Sequence, residues 1–212
     1  TEVVNSVAFS PDGKLLATGS GEPSRDGQLK IWEVATGKLV REITDAHSDM
    51  VLDLAFSREG NRLASSAADR FIKVWDVGSG KHQRSFEGHS GHVLGISWSA
   101  DSRLLASVGS DQVSKIWDAR AGDQKRTITG FKKEVTDTHF VGLTTNLLVI
   151  AADPVVQFRR TDNGGNLRSF SGATDYLYAS AVSANGKLLA AGGHASTVRI
   201  WQDDGKLLVA FE

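Results

Sequence analysis

The sequence contains two sets of histidine, serine and aspartate that share one spacing. They are His47, Ser65 and Asp69, and His89, Ser107 and Asp111. A serine activated by a histidine that an aspartate orients is the nucleophile of many hydrolases. An active site is not usually built twice in one chain, so the repetition favours a structural role for both sets. We therefore expect no catalytic residue, and we expect that the chain is not an enzyme.

A metal site is the second chemistry that these residue types suggest. His89 and His92 have a spacing that suits two ligands, but the chain has no cysteine and no carboxylate in fixed relation to the pair. No glycine-rich loop connects a strand to a helix, so nucleotide binding has no support either. We expect neither a metal nor another cofactor.

Composition and charge exclude several classes of protein. The 212 residues include 24 Lys and Arg against 25 Asp and Glu, a net charge of −1, whereas nucleic-acid binders that work through bulk charge are basic. The absence of cysteine excludes a disulfide framework. Apolar runs are short, as at Leu147–Ala152, so we expect no membrane helix. These features slightly favour a soluble, cytoplasmic protein and leave the compartment open.

A repeated segment organises the whole chain. An aromatic or apolar residue after a short apolar run recurs at Phe56, Trp98, Phe140 and Val182 in steps of 42 residues, and Phe9 precedes Phe56 by 47. The longer first step contains an insertion, "SGEPSRDG". Self-similarity at such a period is typical of repeat architectures. The predicted units cover approximately residues 1–44, 45–86, 87–128, 129–170 and 171–212.

Each unit has the pattern of four short strands. In the second unit they are predicted at 51–57, 62–67, 71–76 and 82–86, separated by turns rich in Gly and Asp. The fourth strand is more polar than the others, as suits an outer edge. The sequence therefore predicts an all-β fold, a β-propeller of four-stranded antiparallel sheets or blades.

These motifs resemble the WD-repeat (WD40) family, and the turn "PDGKLLA" resembles bacterial members in style. The resemblance implies a hydrogen-bonded chain within a blade, from a Trp indole to a Ser or Thr, then to His and Asp. A buried Trp needs such a partner for its N–H group. The residues assigned to this network are Thr18, Asp26 and Trp32; His47, Ser65, Asp69 and Trp75; His89, Ser107, Asp111 and Trp117; and Trp201.

The last two units depart from the family pattern. The fourth has Phe131, Val149 and Arg159 where His, Ser and Trp are expected, and keeps only Asp153. The fifth keeps only Trp201 and has three alanines, Ala173, Ala191 and Ala195. We expect the Trp201 indole to use a backbone carbonyl or water instead.

The resemblance implies a scaffold that binds a protein or peptide partner through the loops around its central channel, with no nucleic acid or membrane. The alternative is one domain of a larger enzyme or haem-bearing protein. The candidate partner-binding residues are Glu22, Arg25, Asp49, Met50, His92, Lys132, Lys133, Asp175, Tyr176 and Tyr178.

The sequence leaves the closure of the ring open. The chain begins and ends at one phase of the repeat, so each blade consists of contiguous strands, and seven blades, the family's common number, would need two more units. Three arrangements remain: part of a larger propeller, a five-bladed ring, or several chains in one ring. An open arc would expose apolar faces and favour self-association.

Overall fold

The structure, a computed structural model, describes residues 3–145, 147–152 and 154–211; the side chains of residues 147–150 and 152 are outside that description. The described residues form twenty β-strands in five four-stranded antiparallel sheets. Within these ranges no helix is long and apolar enough to cross a membrane. The fold is thus all-β, with each sheet built from consecutive strands.

The strands have the following bounds. Sheet 1 contains β1 (Val3–Phe9), β2 (Leu15–Glu22), β3 (Asp26–Glu33) and β4 (Leu39–His47). Sheet 2 contains β5 (Val51–Phe56), β6 (Arg62–Ala67), β7 (Ile72–Asp76) and β8 (His82–Phe86). Sheet 3 contains β9 (Val93–Trp98), β10 (Leu104–Gly109), β11 (Ser114–Asp118) and β12 (Gln124–Ile128). Sheet 4 contains β13 (Val135–Phe140), β14 (Leu147–Ala152), β15 (Val155–Arg160) and β16 (Asn166–Phe170). Sheet 5 contains β17 (Leu177–Val182), β18 (Leu188–Gly193), β19 (Val198–Gln202) and β20 (Leu207–Phe211).

Tight turns join the first two strands of each sheet. In sheet 1 the Gly13 N–H donates to the Ser10 carbonyl at 2.8 Å, and Gly13 has a φ of 71°, a conformation that glycine adopts at no steric cost. In sheet 3 this position is occupied by Ser102, which adopts a φ of 54°. The turn therefore sets the register of the hairpin even where glycine is replaced.

The core lies between successive sheets, because each innermost strand packs against the first two strands of the sheet before it. Fully burying one large apolar side chain contributes about 1.5–3 kcal/mol. The core of sheets 2 and 3 contains Ala64, Ile72, Val74, Phe86, Val93, Ile96, Trp98, Leu105, Trp117 and Ala119.

The two ends of the row of sheets remain uncovered. Val7 of β1 is 60% exposed, whereas Leu54 and Ile96 in the same register position are 5% and 3% exposed. At the other end Val198 is 45% exposed, whereas Ile72 in the same position is fully buried. Among the described residues no comparable packing joins sheet 5 to sheet 1. The five sheets form an open arc, not the closed five-bladed ring that was one of the three expectations.

Two outer strands differ from the predicted pattern. β4 continues to His47, beyond residue 44, and pairs His47 with Gly27 of β3. β20 has the sequence LLVAF, so the outer strand of sheet 5 is apolar where the others are polar. Leu207, Leu208 and Phe211 are exposed on it.

We name the two ends of the sheets by their connections. The loop face carries the β2–β3 type of turn and the connections between sheets. The turn face, at the opposite end, carries the β1–β2 and β3–β4 types of turn.

Candidate functional site

The network of sheet 2 is a continuous chain of four side chains. The Trp75 indole Nε1 lies 2.9 Å from Ser65 Oγ, and Ser65 Oγ lies 2.7 Å from His47 Nε2. His47 Nδ1 is 2.9 Å from Asp69 Oδ2. The carboxylate can only accept, so Nδ1 carries the proton, and the Ser65 hydroxyl donates to Nε2. Every donor from the indole to the surface is satisfied.

The directions of the pKa shifts in this hydrogen-bonded network indicate that His47 is neutral. Burial lowers the pKa of His47, and the hydrogen bond that His47 donates to the Asp69 carboxylate only partly offsets that effect. Burial raises the pKa of the Asp69 carboxyl, but the hydrogen bonds from His47 and from two backbone N–H groups outweigh it, so this pKa lies below its usual value. The pair is therefore a neutral imidazole that donates to a carboxylate.

Sheet 3 repeats this geometry. Trp117 Nε1 lies 2.8 Å from Ser107 Oγ, which lies 2.8 Å from His89 Nε2, and His89 Nδ1 is 2.9 Å from Asp111 Oδ2. Both nitrogens of His89 are thus engaged and are not available to a metal together with His92. In the described part of the chain, no group of three or more histidine and acidic side chains is placed to hold a metal ion.

The networks join neighbouring sheets. His47 is the last residue of β4 in sheet 1, whereas Ser65, Asp69 and Trp75 belong to sheet 2. His89 lies in the connection between β8 and β9. The expectation of a chain confined to one blade is therefore incomplete, because the histidine also fixes the junction between two sheets.

Sheet 1 has a shortened network. Trp32 Nε1 donates to Thr18 Oγ1 at 3.1 Å. Asp26 accepts from the Glu22 N–H at 3.3 Å and from the Gln28 side-chain amide at 3.2 Å. This carboxylate therefore supports the β2–β3 turn and takes no part in a histidine relay.

Sheet 4 replaces the relay with a cation–aromatic contact. The Arg159 guanidinium lies 5.0 Å from the centre of the Phe131 ring and donates to the Gly164 carbonyl at 3.1 Å. The register places Arg159 opposite Leu148, so Ile150, and not Val149, stands at the position of Ser107. Asp153 and the side chain of Val149 lie outside the described residues.

Sheet 5 keeps its tryptophan without the relay. Trp201 is fully buried, and its indole donates to the Ser171 carbonyl at 2.9 Å. A backbone acceptor thus satisfies the N–H group, one of the two expected solutions.

The loop face brings the first group of predicted partner-binding residues together. Glu22 and Arg25 form an ion pair within the β2–β3 turn. Asp49, in the connection to sheet 2, accepts from the Ser24 N–H and from the Met50 N–H, both at 2.8 Å. The inserted turn is therefore fastened to the neighbouring connection.

The second group lies where sheets 4 and 5 meet. The Tyr176 hydroxyl donates to Glu134 at 2.6 Å, and the rings of Tyr176 and Tyr178 lie 5.4 Å apart. Asp175 lies 3.1 Å from His194. The Tyr176 N–H lowers the pKa of Asp175, with further contributions from His194 and Lys133. Tyr178 belongs to β17 and is 59% exposed at the uncovered end of sheet 5, not on the rim.

His92 and Lys132 are exposed on the same face, in the connections before sheets 3 and 4. Neither is brought into the two groups above. Apart from Tyr178, the structure thus places the predicted residues on the loop face without uniting them in one site.

A family model matches more than half of the chain. Its description is "WD domain, G-beta repeat", and it matches residues 1–33, 37–76, 80–118 and 164–202. The chain belongs to this family. The unmatched segment contains most of sheet 4 of this WD40 chain, where the relay is replaced.

Curated relatives match parts of this WD40 chain. WD repeat and SOCS box-containing protein 1 of Mus musculus is 44% identical over 70 residues, which are 32% of this chain and 15% of that protein. WD repeat-containing protein 1 of Gallus gallus is 37% identical over 81 residues, which are 37% of this chain and 13% of that protein. Poly(A)+ RNA export protein of Schizosaccharomyces pombe is 34% identical over 82 residues, which are 38% of this chain and 22% of that protein. These relatives are eukaryotic and give no support to the bacterial resemblance. The matches span less than a quarter of each.

A solved structure shares the fold of the whole chain. "Crystal structure of RRP9 WD40 repeats" aligns with a TM-score of 0.90 at 21% identity and covers 100% of this chain and 64% of that one. The WD40 propeller architecture is therefore shown, and at this identity the likeness concerns the fold alone.

The innermost strands are also joined by polar bridges that the repeat pattern did not predict. Asp53 of β5 accepts from the Ile96 N–H of sheet 3 at 2.8 Å and from Ser6 of sheet 1 at 3.2 Å. Asp137 of β13 accepts from the Ser180 N–H of sheet 5 at 2.6 Å. Their common position in the strands, "VLDLAF" and "VTDTHF", was the available signal.

His139 completes the bridge between sheets 4 and 5. Its Nε2 lies 2.8 Å from the Ser180 carbonyl and 3.1 Å from Asp137. Burial lowers the pKa of His139, but the Asp137 carboxylate and the Ser180 carbonyl outweigh burial and hold it at about 9. Burial raises the pKa of Asp53 to about 6. The innermost strands thus carry a protonated histidine beside a carboxylate.

Proposed function

We propose that this WD40 propeller is a scaffold that binds a protein or peptide partner on its loop face and performs no catalysis itself. The observation that carries the proposal is the group where sheets 4 and 5 meet, in which Tyr176 lies on the loop face with Glu134, Asp175 and His194. Tyrosine is favoured at the centres of protein interfaces. Hydrogen bonds hold the group in place before a partner arrives, which reduces the ordering cost of binding.

The triad-like sets support the absence of catalysis. A nucleophile has to reach a substrate, but Ser65 and Ser107 are fully buried and each is bonded to an indole and an imidazole. Their hydrogen bonds are those of a structural relay. The second possibility, a domain of a larger enzyme or haem-bearing protein, gains no specific support from these residues.

A comparison of two variants tests the loop face. Proteins captured from a cell extract would be quantified by mass spectrometry for the wild type, for Tyr176→Ala and for Lys206→Ala, which lies on the turn face of the same sheet. We expect Tyr176→Ala to weaken the capture of specific proteins about tenfold or more, since interface tyrosines contribute strongly, and Lys206→Ala to leave it unchanged. Loss of capture with Lys206→Ala alone would refute the proposal. Thermal unfolding checks that both variants are folded.

We propose as a second candidate that the uncovered ends of the arc pair head to tail with a second copy. Each internal junction packs an innermost strand against the first two strands of the preceding sheet. β1 offers such a strand with Val3, Val7 and Phe9 exposed, and β17 with β18 offers a receiving face with a cavity of about 490 Å³. Such a heterologous contact repeats an interface that the fold already uses.

Sedimentation tests this pairing. We expect wild-type association that rises with concentration, and a monomer for the combined change Val7→Lys and Phe9→Lys, which places charges in the interface. Val40→Lys is the control, because Val40 is also exposed but lies on an outer strand, away from the proposed interface. A wild type that stays monomeric, or dissociation caused by Val40→Lys, would exclude the pairing.

A further inference from the structure

A cleft between sheets 2 and 3 opens on the turn face, away from the residues proposed above. It has a volume of about 700 Å³ and is lined by Arg62, Arg84, Arg103 and Arg120 together with Asp101 and Asp118. The whole chain has a net charge of −1, so four arginines in one cleft are a local excess of positive charge. Guanidinium groups pair in a forked geometry with carboxylates and phosphates.

Two of the arginines are held in place. Arg62 donates from Nη2 to the Ser102 carbonyl at 2.8 Å, and its guanidinium lies 4.6 Å from the centre of a ring of Trp98. Arg84 donates from Nη1 to the Ala121 carbonyl at 3.1 Å. Each guanidinium has five donors, so these bonds fix the group and leave donors for a ligand.

The other two arginines have no side-chain hydrogen bond to the described part of the chain. Arg103 and Arg120 are exposed at the mouth of the cleft, in the β9–β10 and β11–β12 turns. The neighbouring carboxylates are already engaged. Asp101 accepts from Ser99 Oγ at 2.6 Å, and Asp118 accepts from the Ala121 N–H at 2.8 Å and pairs with Lys125 at 3.4 Å. They therefore neutralise the arginines only in part.

The repeats show which of these arginines the fold requires. Arg84 has counterparts in Arg41, Arg126 and Arg168, so this outer-strand arginine is a shared structural feature. Arg62 stands where sheets 1, 3, 4 and 5 all have leucine. Arg120 stands where the other sheets have Ala35, Gly78, Asp162 and Asp204. Two of the four positive charges thus occur only in this cleft, although the same strands and turns form without them elsewhere.

We propose that this cleft binds an acidic peptide segment through paired contacts from the four arginines. Carboxylate and phosphate groups share the required chemistry, so glutamate-rich and phosphorylated segments are both candidate sources. A nucleic-acid site follows a run of phosphates with a basic stripe, whereas these arginines surround one cleft that also contains two carboxylates.

Fluorescence anisotropy with short labelled peptides tests the proposal. A glutamate-rich peptide, the same sequence with phosphoserines, and a glutamine version would be titrated with the protein. We expect the glutamine peptide to bind at least about tenfold more weakly than the charged peptides, because charge-assisted hydrogen bonds are lost. Tighter binding of the phosphoserine peptide than of the glutamate peptide would identify phosphate as the preferred group. Equal binding of all three peptides would refute the proposal.

Matched variants locate the site. We expect Arg103→Gln with Arg120→Gln to weaken binding of the charged peptides about tenfold or more. Lys14→Gln with Lys38→Gln is the control with the same change in charge, since Lys14 occupies in sheet 1 the turn position of Arg103, and it should leave binding unchanged. Equal loss in both variants would show only bulk charge and overturn the assignment. Tighter binding of a labelled oligouridylate, lost in the Arg103 and Arg120 variant, would overturn the choice of a peptide.

Discussion

Sheets 2 and 3 bury their tryptophans with a polar relay, whereas sheets 4 and 5 keep the same strand arrangement without it. In sheet 3 the Trp117 indole reaches the surface through three polar side chains. In sheet 5 the equally buried Trp201 needs only the Ser171 carbonyl. The comparison teaches that the fold requires an apolar body and a satisfied N–H group at this position, and not a particular acceptor.

Aromatic rings pack in the cores of sheets 4 and 5 as they do between sheets 2 and 3, where Phe86 lies 5.6 Å from Trp117. Phe158 and Phe170 meet edge to face with centroids 4.8 Å apart, and Phe170 lies 6.1 Å from Trp201. Such pairs contribute about 0.5–1.5 kcal/mol beyond the burial of their area. Replacing both polar partners by apolar groups can be nearly neutral, which explains how the relay could be lost without loss of the fold.

The largest expected effect is the removal of a buried indole. We expect Trp117→Ala and Trp201→Ala each to lower the free energy of unfolding by roughly 3–5 kcal/mol, because both leave a large cavity. Urea unfolding measures both. A much smaller cost for Trp201→Ala would break the comparison, since it would show that sheet 5 does not depend on its core.

A smaller effect distinguishes the two kinds of sheet. Ser107→Ala leaves the Trp117 indole and His89 without their partner, so we expect a cost of about 1–3 kcal/mol. The converse change, Ala191→Ser, introduces a buried hydroxyl in a sheet that has Ala173 at the histidine position, and we expect no gain in stability. A stabilising Ala191→Ser would contradict our explanation of how sheet 5 is held together.

The contributions of His47 in the network of sheet 2 and of His139 in sheet 4 to the free energy of unfolding should change with pH in opposite directions. The pKa of His47 lies below its ordinary value, so its contribution to stability is present above about pH 6.5 and is lost as the pH falls. The pKa of His139 is raised to about 9, so its contribution is present below about pH 6.5 and is lost as the pH rises through 9. Asp53, with a pKa of about 6, titrates mainly below neutral pH.

The measurement is urea unfolding between neutral pH and about pH 9.5. The His139 side chain is one-third exposed, so water screens its pair with Asp137, and we expect the wild type to lose only about 1–2 kcal/mol. His139→Asn should remove this loss. A parallel decline of the variant and the wild type would show that another group is responsible.

Most of the fold could be predicted from the sequence, because the strands recur at the same positions in each repeated unit. Observed strands in sheet 2 differ from prediction by one residue at two ends, at Phe56 and Ile72. The register of the fourth unit was harder to predict, because this unit lacks the tryptophan that marks it in the other units. Its β14–β15 turn is also shorter, so Ile150, and not Val149, stands at the position of Ser107.

The contacts between sheets were not predictable from the repeat. The period shows what each sheet contains, but the bridges of Asp53 and Asp137 and the cleft at Arg62 depend on which strands face each other. The repeated Asp in "VLDLAF" and "VTDTHF" gave a signal for the first. For the cleft, the available signal was an arginine in a position that is leucine in every other unit.

The smallest expected effect is a gradient of local stability along the chain. Propeller blades contact mainly their neighbours, so protection against hydrogen exchange can differ between sheets. We expect exchange to be slowest in sheets 2 and 3, which combine the relay with a neighbour on both sides, and faster in sheets 4 and 5. A hydrogen bond contributes only about 0.5–1.5 kcal/mol, whereas the uncovered side of sheet 5 lacks a whole packed neighbour, so sheet 5 should exchange faster than sheet 4. Hydrogen exchange followed by mass spectrometry resolves the sheets. Equal protection in all five would mean that neither the loss of the relay in sheets 4 and 5 nor the uncovered end of sheet 5 has a local cost.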